Sequence, residues 1–432
     1  YRPKRRAKIT KLFFKDYFTQ WIMKRLMDYV NAAALICLAA FVMAGCEKDK
    51  KPGIPDEKPA VPPEIVEKAV DISAGGTANC YLIKPGSTVT FTTAYKGNSK
   101  TETTGNGASG KLVWQDTKGL VKSLNFDPAE QKIYIELSDV QGNAVVAVCG
   151  IDGNILWSWH LWVCNYDPEL DLYTTEPNES GTTWTFMYRN LGAIDVNHAS
   201  VDCYGMIYQW GRKDPFTAPR CYTVINEDYS YQEDGERELY DIDGNVLKKT
   251  RELAEYHGTI EKSIRQPMTF FAMTYRETGE FEEDGTPITE CDYETKDWTD
   301  VSDDDYWGGV SFKKTIYDPC PVGYKVPVSD ADGNTPYDWM KFADMTWDPA
   351  NPGANIYGQW FPTAGTRVYA SGGLDHQEAN PYSGIWFGTV GKASTTNPAL
   401  YGQYMAIMKG KRMFKPMKDA RSQGMSVRCV KE

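Results

Sequence analysis

The chain has 432 residues, of which 41% are hydrophobic and 13% aromatic, enough for packed cores and more than one ordinary domain holds. Its formal net charge is −11, and beyond position 45 only 38 Lys and Arg stand against 56 Asp and Glu. A body that acidic repels phosphate backbones and anionic headgroups, and no basic stripe with interleaved aromatics interrupts it, which argues against nucleic acid as a partner.

In chain order, Met23-Lys24-Arg25 gives a basic start, and an apolar run covers Ala32 to Met43. Ala44-Gly45 then precede Cys46 and Glu47-Lys48-Asp49-Lys50. This is the pattern of a signal peptide closed by a lipobox, with residues 1–45 outside the fold and 1–22 an upstream extension. Small residues admit a nearly extended backbone at the cleavage point, and the Cys46 thiol is the group that takes lipid. Met43 stands where Leu is usual. The run is shorter than the roughly 20 apolar residues that cross about 30 Å of hydrocarbon, so a spanning anchor is the weaker reading. The expectation is an outer-membrane lipoprotein exposed at the cell surface, touching the membrane only through its N-terminal lipid. Residues 46–68 are rich in Pro and charge, which denies them a core and predicts an extended polyproline-II tether.

Residues 69–168 read as a β-sandwich. Short runs at 79–83, 87–95, 111–114, 132–137 and 144–149 are punctuated by turns. Asp152-Gly153 then links two β-runs into a hairpin, because its turn needs the positive φ that Gly and Asp tolerate. Residues 169–432 carry more Trp, longer loops and one helical candidate, Pro336 to Met345. Within them, positions 225–305 are acidic and turn-rich, which predicts long excursions from a core. Of the ten Cys, Cys37 leaves with the signal and Cys46 carries lipid. The remaining eight, Cys80, Cys149, Cys164, Cys203, Cys221, Cys291, Cys320 and Cys429, allow 105 pairings, so spacing alone fixes none.

Six segments of the second half, in order, carry a resemblance: WTFMYRNLGA (184–193), GMIYQWGRKDPF (205–216), TIEKSIRQPMTFF (259–271), KTIYDPCPVGYKVP (314–327), WFPTAGTR (360–367) and GMSVRCVKE (424–432). Together they resemble the Fibrobacter-type major paralogous domain, a C-type-lectin-like module of surface lipoproteins in Bacteroidota. The first domain, with TANCYLI, GNAVVAV and GNILWSWHLW, looks like the sandwich that precedes this module in fimbrillin-like proteins. The fold class implied is mainly β, a β-sandwich followed by an α+β, lectin-like second domain with long loops. Such a fold brings chain ends together, which implies a Cys320–Cys429 disulfide. In the chain-entropy account, closing a loop of about a hundred residues contributes roughly 4–5 kcal/mol.

Local chemistry is sparse. His160, His198, His257 and His376 are scattered and belong to no HExxH, nucleophile-elbow or CxxC constellation, and no P-loop or GxGxxG opens a helix. Asp330-Ala331-Asp332-Gly333-Asn334 begins like a calcium loop, but Lys341 takes the place of the bidentate Glu, so a turn explains it better. Asp303-Asp304-Asp305 offers oxygen ligands but reads more simply as a solvated loop. Calcium remains the one cofactor the carboxylates raise. Glu176-Pro177-Asn178 resembles a lectin sugar loop but precedes the domain core, and no Trp-Asn-Asp follows, so a calcium-lectin mechanism is not carried over. Nor is there the reactive Cys pair of the formylglycine-generating enzymes.

Trp184, Trp210, Trp307, Trp339, Trp360 and Trp386 read as core or loop anchors. Arg189, Asn190 and Arg212 are expected to satisfy loop carbonyls. The sequence thus predicts a non-enzymatic binding or adhesion protein for a glycan or protein ligand. A fimbrial subunit meeting assembly partners is the alternative, and a carbohydrate-active enzyme the third. Binding is expected on the 225–305 insertion, through Tyr229, Tyr231, Tyr240, Tyr293, Trp298, Tyr306 and Trp307, and deletion of 226–304 is expected to spare folding.

Overall fold

The two sheets of the first half differ in how they are buried. In the computed structural model the described residues are 61–219, 223–225, 228–230, 236–247, 258–272, 275–281, 283, 285, 287–291, 297–336, 345–348, 350–351, 353–369, 371–374, 382–392, 400–408 and 416–432. Eight strands open the fold: β1 (Val70–Asp71), β2 (Cys80–Ile83), β3 (Thr88–Thr92), β4 (Ser109–Gln115), β5 (Val121–Asp127), β6 (Lys132–Leu137), β7 (Gly142–Cys149) and β8 (Ile155–Val163). They form an outer sheet ordered β1-β3-β6-β5 and an inner sheet ordered β2-β8-β7-β4.

Alternation along the strands explains the packing. From the inner sheet, Ala144, Val146, Val148, Trp157, Trp159, Leu161 and Val163 meet Val89, Phe91, Ile133, Ile135 and Leu137 of the outer sheet in one core. The sequence pattern passes over β5 because a bulge between Val121 and Ser123 breaks its period of two. Val145, Ala147, Cys149, Trp162 and Cys164 point the other way, into a second core shared with Tyr208, Trp210, Trp307, Trp386 and Met425. All eight residues of β7 are buried. That is why β7 reads as a continuous apolar run rather than an alternating one. Packing therefore continues across the 168/169 boundary.

The tether reading needs correction at its end. Residues 46–60, with Cys46, lie outside the described residues, but Pro63–Lys68 is an α-helix, α1, with Pro at its start. Proline suits that position because its φ is already helical and its missing N–H has no partner there. Val61 and Ile65 are buried against Tyr134 of β6, so the segment docks on the outer sheet.

The second half builds a six-stranded sheet in the order Phe216–Thr217, Met206–Gln209, Gly424–Ser426, Tyr382–Lys392, Leu400–Met408, Pro416–Ala420. A four-stranded sheet sets Val430–Lys431 between Tyr324–Lys325 and Thr185–Met187, with Leu172–Thr174 outside. This placement brings the last strand to the Asp318-Pro319-Cys320 turn, and Cys320 and Cys429 form a disulfide with Cα atoms 6.0 Å apart. Most of the helix expected at Pro336 to Met345 lies outside the described residues, while Met345 opens a strand, Met345–Trp347. The expected fold class, mainly β, is the observed one.

Candidate ligand-binding site

The acidic insertion is scaffold in most of its described length. Tyr240 exchanges backbone hydrogen bonds with Gln115 of β4 (2.9 and 3.1 Å), and its hydroxyl donates to Glu238 at 2.7 Å. A helix, α2 (Ile260–Arg265), is capped by the Thr259 hydroxyl, which accepts from the Lys262 amide. The turn after it supplies the Gln266, Pro267 and Thr269 carbonyls to the buried Arg212 guanidinium at 3.1, 3.0 and 2.6 Å. Glu236 pairs with buried Arg367 at 2.9 Å. Arg421, fully buried against Trp210, is held by Asp297 and Asp304. Deleting 226–304 would take both carboxylates from Arg421, the carboxylate from Arg367 and three carbonyls from Arg212, so, against the expectation from sequence, the fold should not survive it.

Three predicted ligand residues are corrected for the same reason. Trp298 is fully buried and donates to the Trp210 carbonyl at 2.8 Å. Trp307 donates to the Tyr317 carbonyl, and Tyr306 to Val301, from inside the shared core. None of the three offers a ring face to a ligand. Tyr229 lies on the strand Asp228–Ser230, with only its backbone described. Tyr231 and Tyr293 lie outside the described residues, as do Trp339, His257 and His376.

The acidic turns are engaged locally. Asp330 accepts from the Asp332 and Asn334 amides and the Asn178 and Asn334 side chains; burial opposes these bonds, yet its carboxyl is held down at about 2. Asp305 accepts from the Val310 and Ser311 amides at 2.9 and 2.8 Å. Among the described residues no three His, Cys, Asp or Glu side chains are grouped to hold a metal ion.

A buried polar seam joins the inner sheet to the second half. The Lys213 ammonium lies 2.8 and 3.0 Å from the two Asp214 oxygens and donates to the Ser158 carbonyl at 3.0 Å and hydroxyl at 2.5 Å. Ser158 donates to Asp214 at 2.6 Å. His160 faces Asn143 at 2.9 Å and the Tyr208 hydroxyl at 3.3 Å. Burial lowers the Lys213 ammonium and takes His160 down to about 3, keeping its imidazole neutral. A serine beside an amine with lowered basicity is an arrangement used in nucleophilic catalysis. Ser158, Lys213 and Asp214 are all buried, however, and a nucleophile must reach its substrate. The seam's chemistry is adhesive.

A surface with signs of a recognition role lies elsewhere. Strands Gly353–Ile356 and Gln359–Pro362 pair antiparallel with Ile356 opposite Gln359, leaving Tyr357 and Gly358 as a two-residue turn. Both have positive φ, +50° and +78°. Such hairpin turns favour Asn, Asp or Gly; a tyrosine there bears roughly 1–2 kcal/mol of backbone strain while its side chain stays 39% exposed. Strain of this kind concentrates where function uses it. The Tyr188 hydroxyl donates to the Gly358 carbonyl at 3.0 Å, binding a second aromatic to the same turn.

Tyr188 also lines a shallow pocket of about 10 Å³ together with Val196, Cys203, Trp360 and Pro362 and the charged Arg189, Asp195 and Arg428. The loop that shapes it is locally determined: Asp195 accepts from the Val196 and Asn197 amides at 2.7 and 3.1 Å. His198 stacks on Trp360 with ring centres 3.9 Å apart and lies 3.8 Å from Asp348. Arg428 donates to Asn190 at 3.1 Å and to the Trp360 carbonyl at 2.8 Å while covering the Phe361 ring. The Arg189 guanidinium sits over Tyr166 at 4.3 Å. Burial pushes the Cys203 thiol up to about 12, so it stays neutral among the charged side chains that also line the pocket. Sequence reasoning missed this site. Its one legible trace is Tyr-Gly between two short apolar runs, where Asn-Gly or Asp-Gly would mark an ordinary hairpin.

No family model matches the chain, and no curated protein matches it.

Proposed function

We propose that the chain is a surface-anchored, non-enzymatic binding protein, lipidated at Cys46 in the outer membrane and related to the Fibrobacter-type lectin-like lipoproteins. The carrying observation is the strained, exposed Tyr357 at a hairpin tip tied to Tyr188 and an adjoining pocket. The lipobox pattern of residues 32–46 supports the anchor. A rigid scaffold that displays a turn is a common recognition geometry. The partner class is a glycan or protein surface.

A glycan and matrix-protein array probed with the detergent-solubilised full chain, with and without calcium, tests this. Saturable hits lost on Tyr357→Asn are expected. A blank array, with the protein recovered from its cell in heat-labile polymers, would overturn the reading in favour of a fimbrial subunit.

A further inference from the structure

The hairpin that carries Tyr357 packs on the six-stranded sheet, and alternation fixes which side chains meet between them. Ile356 and Phe361 of the hairpin share one core with Ile385 and Ile407 of the sheet. Gln359 stands opposite Ile356 and two residues before Phe361, so it faces the same way. Ser383 stands opposite Ile407 and two residues before Ile385, and Ser426 is the register partner of Ile385. Met425 and Val427 point into the other core, which turns Ser426 toward the hairpin together with Arg428, whose guanidinium covers Phe361. Three uncharged polar side chains therefore enter a layer built mainly of apolar ones.

All three are enclosed: Gln359 is 2% exposed, and Ser383 and Ser426 are 0%. Yet neither end of the Gln359 amide nor either serine hydroxyl has a hydrogen-bond partner among the described residues. An orphaned buried amide or hydroxyl weakens folding by a factor of roughly 5 to 150, and native proteins meet that cost with protein groups or ordered water. The chemistry of the three narrows what can answer them. The amide oxygen needs a donor, the amide nitrogen an acceptor, and each hydroxyl offers both, so an apolar occupant satisfies none. A metal ion would find no carboxylate among them and would share the face with the Arg428 guanidinium. An anion would meet the donors but repel the amide oxygen. Water donates and accepts at once, and makes about three such bonds when buried.

We infer that the seat of the Tyr357 hairpin is an internal hydration site, in which ordered water bridges the Gln359 amide to the Ser383 and Ser426 hydroxyls. The bridge ties the hairpin to two strands of the sheet beneath it, while Ile356 and Phe361 supply the apolar contact. It concerns how the hairpin is held and stands independently of what Tyr357 binds.

Urea unfolding of the detergent-solubilised full chain separates a hydrated seat from a dry one by sign. Where water bridges, Gln359→Met, Ser383→Ala and Ser426→Ala each remove an anchor from it, and each should raise the unfolding constant about 5- to 10-fold. The triple variant takes away every polar group that needs the water, so its unfolding constant should rise by less than the product of the three single factors. A dry seat gives the opposite, since each serine variant then relieves an orphaned hydroxyl and lowers the unfolding constant. A high-resolution crystal structure of the wild type should show ordered density within about 2.7–3.2 Å of the Gln359 amide and both hydroxyls. Serine variants of unchanged or raised stability, single factors that simply multiply in the triple variant, or a crystal structure in which the three side chains bond to protein groups alone would each overturn the site.

Discussion

Residues 225–305 and the hairpin Gly353–Pro362 make an instructive pair. The first is long, acidic and rich in aromatic residues, the composition of a displayed loop; the second is ten residues of ordinary β-sequence. In the fold their roles are exchanged. Trp298 is fully enclosed, and Asp297 and Glu236 neutralise buried arginines. The short hairpin holds a tyrosine in a backbone conformation that costs energy, and leaves it exposed. Composition reports what a segment can do in water or in a core, whereas its partners decide which of the two it does.

The comparison breaks most directly by removing the insertion. Deletion of 226–304 should give no cooperatively folded protein by circular dichroism and urea titration, because Arg421 loses both its carboxylates, Arg367 its carboxylate and Arg212 three carbonyls; a cooperative transition would return the insertion to the status of an excursion. Next in size, the Cys320→Ser/Cys429→Ser double variant should lose roughly 4–5 kcal/mol in denaturant unfolding, the loop-closure contribution of a bridge 109 residues apart.

The seam sharpens the contrast between scaffold and display. Asp214→Ala leaves the buried Lys213 ammonium without its carboxylate and should cost about 3–5 kcal/mol, whereas replacing both residues by apolar ones should cost less. A smaller difference at the double variant than at the single one, read from urea midpoints, is the result to look for.

His160 gives a signed pH dependence. Its folded-state value of about 3 lies below the ordinary 6.5, so the unfolded chain binds the extra proton between those limits. The stability it confers is therefore complete above pH 6.5 and declines as pH falls toward 3. Relative to His160→Gln, the wild type should lose about 2 kcal/mol between pH 7 and pH 5 in unfolding titrations. A parallel decline in both proteins would place the acid sensitivity elsewhere.

The smallest expected effect is of opposite sign. Tyr357→Asn should raise stability by about 1 kcal/mol, since Asn tolerates the left-handed conformation that Tyr357 occupies, while array binding is lost. A destabilised variant would mean that the Tyr357 ring packs rather than recognises.

The sequence by itself determined the β-rich class, the hairpin at Asp152-Gly153 and, through resemblance, the Cys320–Cys429 pairing. These rest on local periodicity, turn chemistry and motif order, which neighbours in the chain can express. Tertiary structure alone decided that Pro63–Lys68 is a docked helix, that Trp298, Tyr306 and Trp307 are core, and that Ser158, His160 and Lys213 face inward. It also brought Tyr188, Val196 and Cys203 beside Trp360. Those outcomes depend on which surfaces meet across more than a hundred residues of chain, and burial is a property of the meeting rather than of the segment.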